Sequence, residues 1–124
     1  MSTNVRTFAV AFILLVGLAA APALVAQETQ TTTRVPQYEN EHVKVWRTVI
    51  LPNQPLSMHR HEHPRSVVAI EGGTLTIVQE TGERKTVTWE TGNAYWLEAD
   101  EPGTMHGDVN EGDAPMVVVI VEMK

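Results

Sequence analysis

The chain has 124 residues, 5 histidines, no cysteine and a formal net charge of −6 at pH 7. An acidic chain lacks the basic face that a phosphate backbone requires, which argues against nucleic acid as a partner. Without cysteine there can be no disulfide and no thiolate ligand, so a bound metal would depend on imidazole, carboxylate, carbonyl or water.

The first 26 residues have the order of a secretory signal peptide. Arg6 is followed by an uncharged apolar run that begins at Phe8, and small residues lead to Ala23 and Ala26, the two expected cleavage sites. A retained N-terminal anchor is the alternative, but a spanning helix needs about 20 apolar residues, and this run is shorter and ends in Pro22. We therefore predict an exported protein, periplasmic or extracellular, with no stable membrane anchor after cleavage.

The remaining part, about 98 residues long, is enough for one domain. Residues 27–38 begin with the polar, aperiodic stretch QETQTTTR and are predicted to form a flexible leader. Residues 39–124 contain roughly eight short apolar or alternating segments, separated by turn signals such as GG at 72–73 and TGER at 81–84. No window in this part combines helical spacing with caps. The pattern predicts a single all-β domain, either a sandwich or a barrel.

The last of these segments, MVVVIVEM at 116–123, is almost continuously apolar. An antiparallel strand with one face in water should alternate instead. Both faces of this strand are therefore expected to be covered, and we predict that a second copy of the chain covers one of them in a homodimer.

Three histidines stand at alternate positions in the stretch MHRHEHPR, residues 58–65. On an extended strand His59 and His61 face the same way, about 6.5–7 Å apart along the backbone, and so form a two-nitrogen chelate. His63 has the same parity, but Pro64 restricts its backbone and is expected to end the strand. A solvated polar edge without function is the competing interpretation, so the cluster alone leaves metal binding open.

Two motifs in the chain resemble those of the cupin superfamily of small β-barrels. The first places Asn53 at the opening glycine, His59-Arg60-His61 at H-x-H, and Gly72 or Gly73 at the closing glycine. The second opens at Gly92, continues through Pro102-Gly103 and ends with His106 and Asn110 at the family's spacing. The chain is identified as similar to a single-domain, RmlC-like jelly roll over residues 39–124.

The resemblance implies a metal site formed by His59, His61 and His106. The family's usual glutamate falls at Arg65 or Ser66, so three imidazoles remain. Such ligands favour a divalent transition metal, Fe, Zn, Cu, Ni or Mn, over Mg²⁺ or Ca²⁺. His63 is left over, either as a fourth ligand or as an acid–base group near the mouth of the barrel.

Three functions are compatible with these residues. The first is a metal-dependent enzyme of the dioxygenase or isomerase type acting on a small molecule, as in similar cupins. The second is a non-catalytic module that binds a metal or a small ligand, and the third is a metal-free barrel with structural histidines.

Four further residues have expected places. Trp96 is the aromatic residue whose side chain is expected to line a ligand pocket. Arg65 is expected to be a solvated charge at a strand end. Glu98 is the nearest candidate for a carboxylate near the metal, and Asn110 is expected to support a turn.

Overall fold

A computed structural model describes residues 32–124, and these residues form nine β-strands and no helix. No helix that could cross a bilayer occurs in this range. The predicted signal peptide, residues 1–26, and residues 27–31 of the predicted leader lie outside it. The strands are β1 (Thr33–Glu39), β2 (Val43–Ile50), β3 (Leu56–His59), β4 (Arg65–Glu71), β5 (Gly73–Gln79), β6 (Arg84–Trp89), β7 (Ala94–Leu97), β8 (His106–Asn110) and β9 (Met116–Met123).

The strands form two antiparallel sheets that enclose one core. The five-stranded sheet has the order β1-β2-β9-β4-β7, and the four-stranded sheet has the order β3-β8-β5-β6. Because side chains alternate along a strand, one face of each sheet supplies the core. The core cluster consists of Trp46, Ile50, Val67, Ala69, Leu75, Trp89, Met116, Val118 and Ile120. The prediction of an all-β fold is confirmed.

The structure differs from the sequence prediction over residues 33–38, which form most of β1 rather than an irregular leader. This strand pairs with β2 from Thr33, opposite Val49, to Glu39, opposite Lys44. All of its side chains after Thr33 are exposed. Backbone hydrogen bonds to β2 therefore hold β1 at the edge of the sheet. Because β1 buries no apolar face, its sequence lacks the alternation that would have predicted a strand.

Two residues of the resemblance motifs have clear backbone roles. Asn53 adopts a φ of 56°, the left-handed conformation that a glycine normally provides. Its backbone N–H donates to the backbone oxygen of Asn110 at 2.8 Å, which joins the two motifs. At Gly72 a Cβ would lie 2.0 Å from the backbone oxygen of Trp89, so no other residue fits there without a backbone shift.

Candidate metal centre

Two strands of the smaller sheet present two of the three predicted histidines. His59 is the last residue of β3, His106 is the first residue of β8, and the two are cross-strand partners. His61 lies two residues beyond the end of β3, so the predicted extended strand through both residues of H-x-H stops at His59. The backbone of His61 is fixed instead by Asp100. Its N–H donates to Oδ2 of Asp100 at 2.7 Å, and its carbonyl accepts from the N–H of Asp100 at 2.8 Å.

The three imidazoles converge on one point despite this difference. One ring nitrogen from each of His59, His61 and His106 lies within 4.8 Å of the other two. The ring centroids of His59 and His106 are 4.5 Å apart, those of His59 and His61 are 5.0 Å apart, and those of His61 and His106 are 5.8 Å apart. His61 and His106 are buried and His59 is half-buried.

The Nδ1 atom of each histidine lies near an oxygen acceptor, at hydrogen-bond distance for His59 and His61. Nδ1 of His59 lies 2.7 Å from the backbone oxygen of Ser57, and Nδ1 of His61 lies 2.6 Å from Oε2 of Glu122. Nδ1 of His106 lies 3.4 Å from Oδ2 of Asp100. An acceptor at Nδ1 favours the tautomer that carries its proton there, so the lone pair of Nε2 is free for a metal.

Burial keeps two of these rings neutral. It lowers the pKa of His61 to about 2, with further lowering by the nearby charges of Arg65 and His59. Burial also lowers the pKa of His106, although the carboxylates of Asp108 and Asp100 oppose the effect. A metal binds only the neutral form of imidazole, so little proton release is needed at these two ligands.

The structure adds three carboxylates that the sequence analysis did not place at the site. Asp108 lies on β8 with Oδ2 at 3.5 Å from Nε2 of His59 and Oδ1 at 3.9 Å from Nε2 of His106. Glu122 and Asp100 contact the histidines from outside, as described above. The spacing His106-x-Asp108 was a usable signal, because residues two apart on a strand share a face. Glu122 is distant in sequence from His61, and Asp100 precedes His106 in a loop without alternation, so neither gave such a signal.

Three of the secondary expectations are wrong. Trp96 is 57% exposed and donates its Nε1–H to Oε1 of Glu98 at 2.8 Å, so it lies outside the core and Glu98 faces away from the histidines. Arg65 is 6% exposed rather than solvated. Its Nη1 donates to the backbone oxygen of Glu98 at 3.0 Å, and its Nη2 lies 3.5 Å from Oδ1 of Asp100. Asn110 supports the loop before β9, as expected.

His63 stands apart from the other three histidines. It is exposed and borders an outer groove together with Arg60, Glu62 and Glu122. Its ring is close enough to lower the pKa of Glu122, against the larger raising effect of burial on that carboxyl. The structure therefore places His63 beside the outer support of His61 and outside the group of candidate ligands.

A small cavity of about 40 Å³ opens onto the histidines from the core. Its wall is mostly apolar, with the side chains of Arg34, Thr48 and Arg65 as the polar exceptions beside His59, His61, His106 and Asp108. Thr48 is 1% exposed, and within residues 32–124 its Oγ1 has no hydrogen-bond partner. A polar molecule in the cavity would satisfy this hydroxyl.

Comparison with solved structures identifies the architecture. A cupin domain from Bordetella pertussis Tohama I is 26% identical, with 79% of this chain and 98% of that chain covered and a TM-score of 0.66. The chain has a cupin fold. A conserved protein with a double-stranded β-helix domain from Klebsiella pneumoniae matches at 22% identity, with coverages of 78% and 80% and a TM-score of 0.57. An RmlC-like cupin family protein from Methanocaldococcus jannaschii matches at 16% identity, with coverages of 78% and 85% and a TM-score of 0.55.

No protein-family model matches the chain, and no curated protein matches it either. The cupin fold, together with the cluster of His59, His61 and His106, confirms the coarse expectation of a cupin barrel whose histidines could bind a metal.

Proposed function

We propose that this protein binds a divalent transition metal through His59, His61 and His106 and holds a small ligand beside the ion. The observation that carries the proposal is the convergence of three ring nitrogens within 4.8 Å, while the Nδ1 atoms of His59 and His61 are hydrogen-bonded to oxygen acceptors. Any buried imidazole needs an acceptor for its N–H, but only metal ligands need their remaining nitrogens to converge, and an outer acceptor then fixes both tautomer and orientation.

The residues present fit a transition metal. Imidazole suits Zn, Cu, Fe and Ni, and adjacent carboxylates extend the range to Mn. Donors around one ion at about 2.1 Å lie about 3.3 to 4.2 Å apart. The three nitrogens all lie within 4.8 Å of one another, so a small movement of the rings brings them into that range. The ion would supply Lewis acidity and would orient a ligand in the cavity. The chain's own part is to hold the neutral rings, exclude bulk water and present Arg34, Thr48 and Arg65 to that ligand.

The size of the cavity limits the ligand. By the same measure of volume a water molecule needs about 10–15 Å³, so about 40 Å³ admits only a few heavy atoms. This favours a binding module for a metal with water or a small anion. The second candidate is a metal-dependent enzyme of the dioxygenase or isomerase type, which the two guanidinium groups in the wall favour, because they would orient an anionic substrate.

An acid–base role for His63 and export from the cell are both proposed from the sequence. His63 borders the groove next to Glu122, where it would exchange protons with solvent as an acid–base group. Export to the periplasm or outside the cell is proposed from the signal-like residues 1–26 alone. Intact mass measurement of the protein recovered from its own host tests export: a chain that retains residues 1–26 would contradict cleavage.

We also propose a homodimer through the outer face of the five-stranded sheet. Alternation places Val68, Val119 and Val121 on the face away from the core, next to the exposed side chains of Ile70 and Trp96. A contiguous apolar face of this kind marks an interaction surface. Light scattering at micromolar concentration should give twice the mass of the mature chain. Val119→Lys should give a monomer and Thr86→Lys, on the other sheet, should not; a monomeric wild type would contradict the proposal.

Metal binding is tested by elemental analysis of untagged protein after metal add-back and desalting. We expect about one equivalent of transition metal in the wild type and in His42→Ala, since His42 is exposed and away from the cluster. His106→Ala should lose the metal. Less than about a tenth of an equivalent in the wild type, or full occupancy in His106→Ala, would contradict the proposed site.

A further inference from the structure

Asp108 places a carboxylate beside two of the three histidines, His59 and His106. It is the central residue of β8, opposite Leu56 of β3 and Ile77 of β5. Its parity on the strand matches that of His106, so both side chains project toward the core cavity. The side chain is 12% exposed, and its carboxylate lies in the wall of that cavity.

The carboxylate spans the gap between two rings. Oδ2 is 3.5 Å from Nε2 of His59, and Oδ1 is 3.9 Å from Nε2 of His106. Two donors bound to one ion at about 2.0–2.1 Å in a tetrahedral site lie about 3.3–3.4 Å apart. The nitrogens that Asp108 approaches are the same Nε2 atoms that face away from the acceptors at Ser57 and Asp100. We propose that Asp108 is the fourth ligand of the metal bound by His59, His61 and His106.

A simple ion pair between Asp108 and protonated histidine is the competing explanation. A buried carboxylate is costly unless a cation lies beside it. The contacts of Asp108 with His59 and His106, at 3.5 and 3.9 Å, are longer than the roughly 2.7–2.9 Å of a charge-assisted hydrogen bond, so neither ring is paired directly with the carboxylate. The geometry and the charge are both satisfied when a divalent ion lies between the carboxylate and the rings.

A carboxylate supplied by β8 is consistent with the presence of an arginine, Arg65, at the start of β4. Arg65 stands where the resemblance motif would have its glutamate, and it is held by Asp100 and by the backbone oxygen of Glu98. A second carboxylate there is unnecessary if β8 supplies one. Four protein ligands complete the shell of a tetrahedral ion such as Zn²⁺ but leave two positions on an octahedral ion such as Mn²⁺ or Fe²⁺. The inference rests on the proposed metal site and makes its reactivity depend on the metal.

Titration of the purified protein with Co²⁺ tests this role by affinity and by absorption spectrum. Asp108→Ala should lower the affinity for Co²⁺ by more than about 100-fold. Loss of a residue that only supports a ligand from outside costs at most roughly 100-fold. The visible bands should also weaken as water replaces the carboxylate and the coordination number rises. Asp108→Asn keeps the shape but not the charge and should give a loss in the same direction, which covers the case in which the alanine variant does not fold. Asp113→Asn, an exposed control, should bind as the wild type does.

The outcomes separate this inference from the proposed function. If a folded Asp108 variant binds Co²⁺ with wild-type affinity and spectrum while His106→Ala does not bind it, Asp108 is not a ligand and the three-histidine site stands. If the wild type fails to bind Co²⁺ or any other transition metal, the proposed function fails, and the role of Asp108 falls with it.

Discussion

Replacement of Glu122 should weaken metal binding even though its carboxylate does not face the metal. Its Oε2 lies 2.6 Å from Nδ1 of His61, and the side chains are 16% and 4% exposed. A short, charge-assisted hydrogen bond of this kind orients the ring and raises the basicity of the opposite nitrogen. Loss of such an outer partner generally costs 10–100-fold in metal affinity, which corresponds to about 1.4–2.7 kcal/mol.

The contacts of His61 indicate where in this roughly 10–100-fold range each Glu122 variant should fall. The ring of His61 also stacks on Trp46, with centroids 6.0 Å apart and planes 9° apart, so it keeps one support when Glu122 is changed. Glu122→Gln retains an oxygen acceptor, and we expect a loss near 10-fold. Glu122→Ala leaves the buried Nδ1–H without a partner, so we expect a loss closer to 100-fold.

Competition with a chromophoric chelator measures these affinities directly. Glu71→Gln serves as the control, because Glu71 is exposed at the end of β4 and does not contact the histidines. If Glu122→Ala binds metal within about 3-fold of the wild type, the short contact does not support the ligand and the reasoning is wrong.

Two further predictions concern stability. The side chain of Asn110 is buried and makes three hydrogen bonds, to Ile50, Ala114 and Gly112. Asn110→Ala should therefore lower the free energy of unfolding in urea by about 3 kcal/mol, and a loss under about 1 kcal/mol would contradict this. The hydroxyl of Thr76 donates to Oε2 of Glu111 at 2.6 Å and lowers the pKa of that carboxyl below 4.5. The stabilisation is complete above the unfolded-state pKa and is lost as pH falls through the folded-state value, so Glu111→Gln should reduce the fall in Tm between pH 7 and pH 3; an unchanged fall would refute it.

Local sequence patterns were sufficient for much of the fold and for the histidines. Alternation and turn residues predicted most of the strands, because each strand buries one face and the period of two is visible within a few residues. The motif placed Asn53 at a glycine position, and the structure gives it the left-handed conformation that glycine readily adopts. His59, His61 and His106 were predicted from motif spacing, and they converge although His61 lies beyond the end of β3.

The carboxylates around the histidines could not be predicted in the same way. Glu122 meets His61 only because β9 lies between β2 and β4, and the two residues are 61 positions apart in sequence. Asp100 reaches His61 across 39 positions through a loop that has no periodic pattern. Arg65 was expected in solvent because a charged side chain is rarely buried without a partner. The sequence did not show that Asp100 would be that partner.

The charges around the histidines give an independent reason to expect a cation. Asp100, Asp108 and Glu122 bring three carboxylates whose side chains are 12–17% exposed, and the guanidinium groups in the cavity wall belong to Arg65 and Arg34. With neutral rings and ionised carboxylates these five side chains sum to one negative charge, where Arg34 is exposed and burial raises the pKa of Asp108 and of Glu122. A divalent ion changes that sum to one positive charge, which a water-derived hydroxide or a small anion in the cavity would neutralise. The metal and a small anionic ligand should therefore bind with positive coupling, and each should raise the affinity for the other by the same factor.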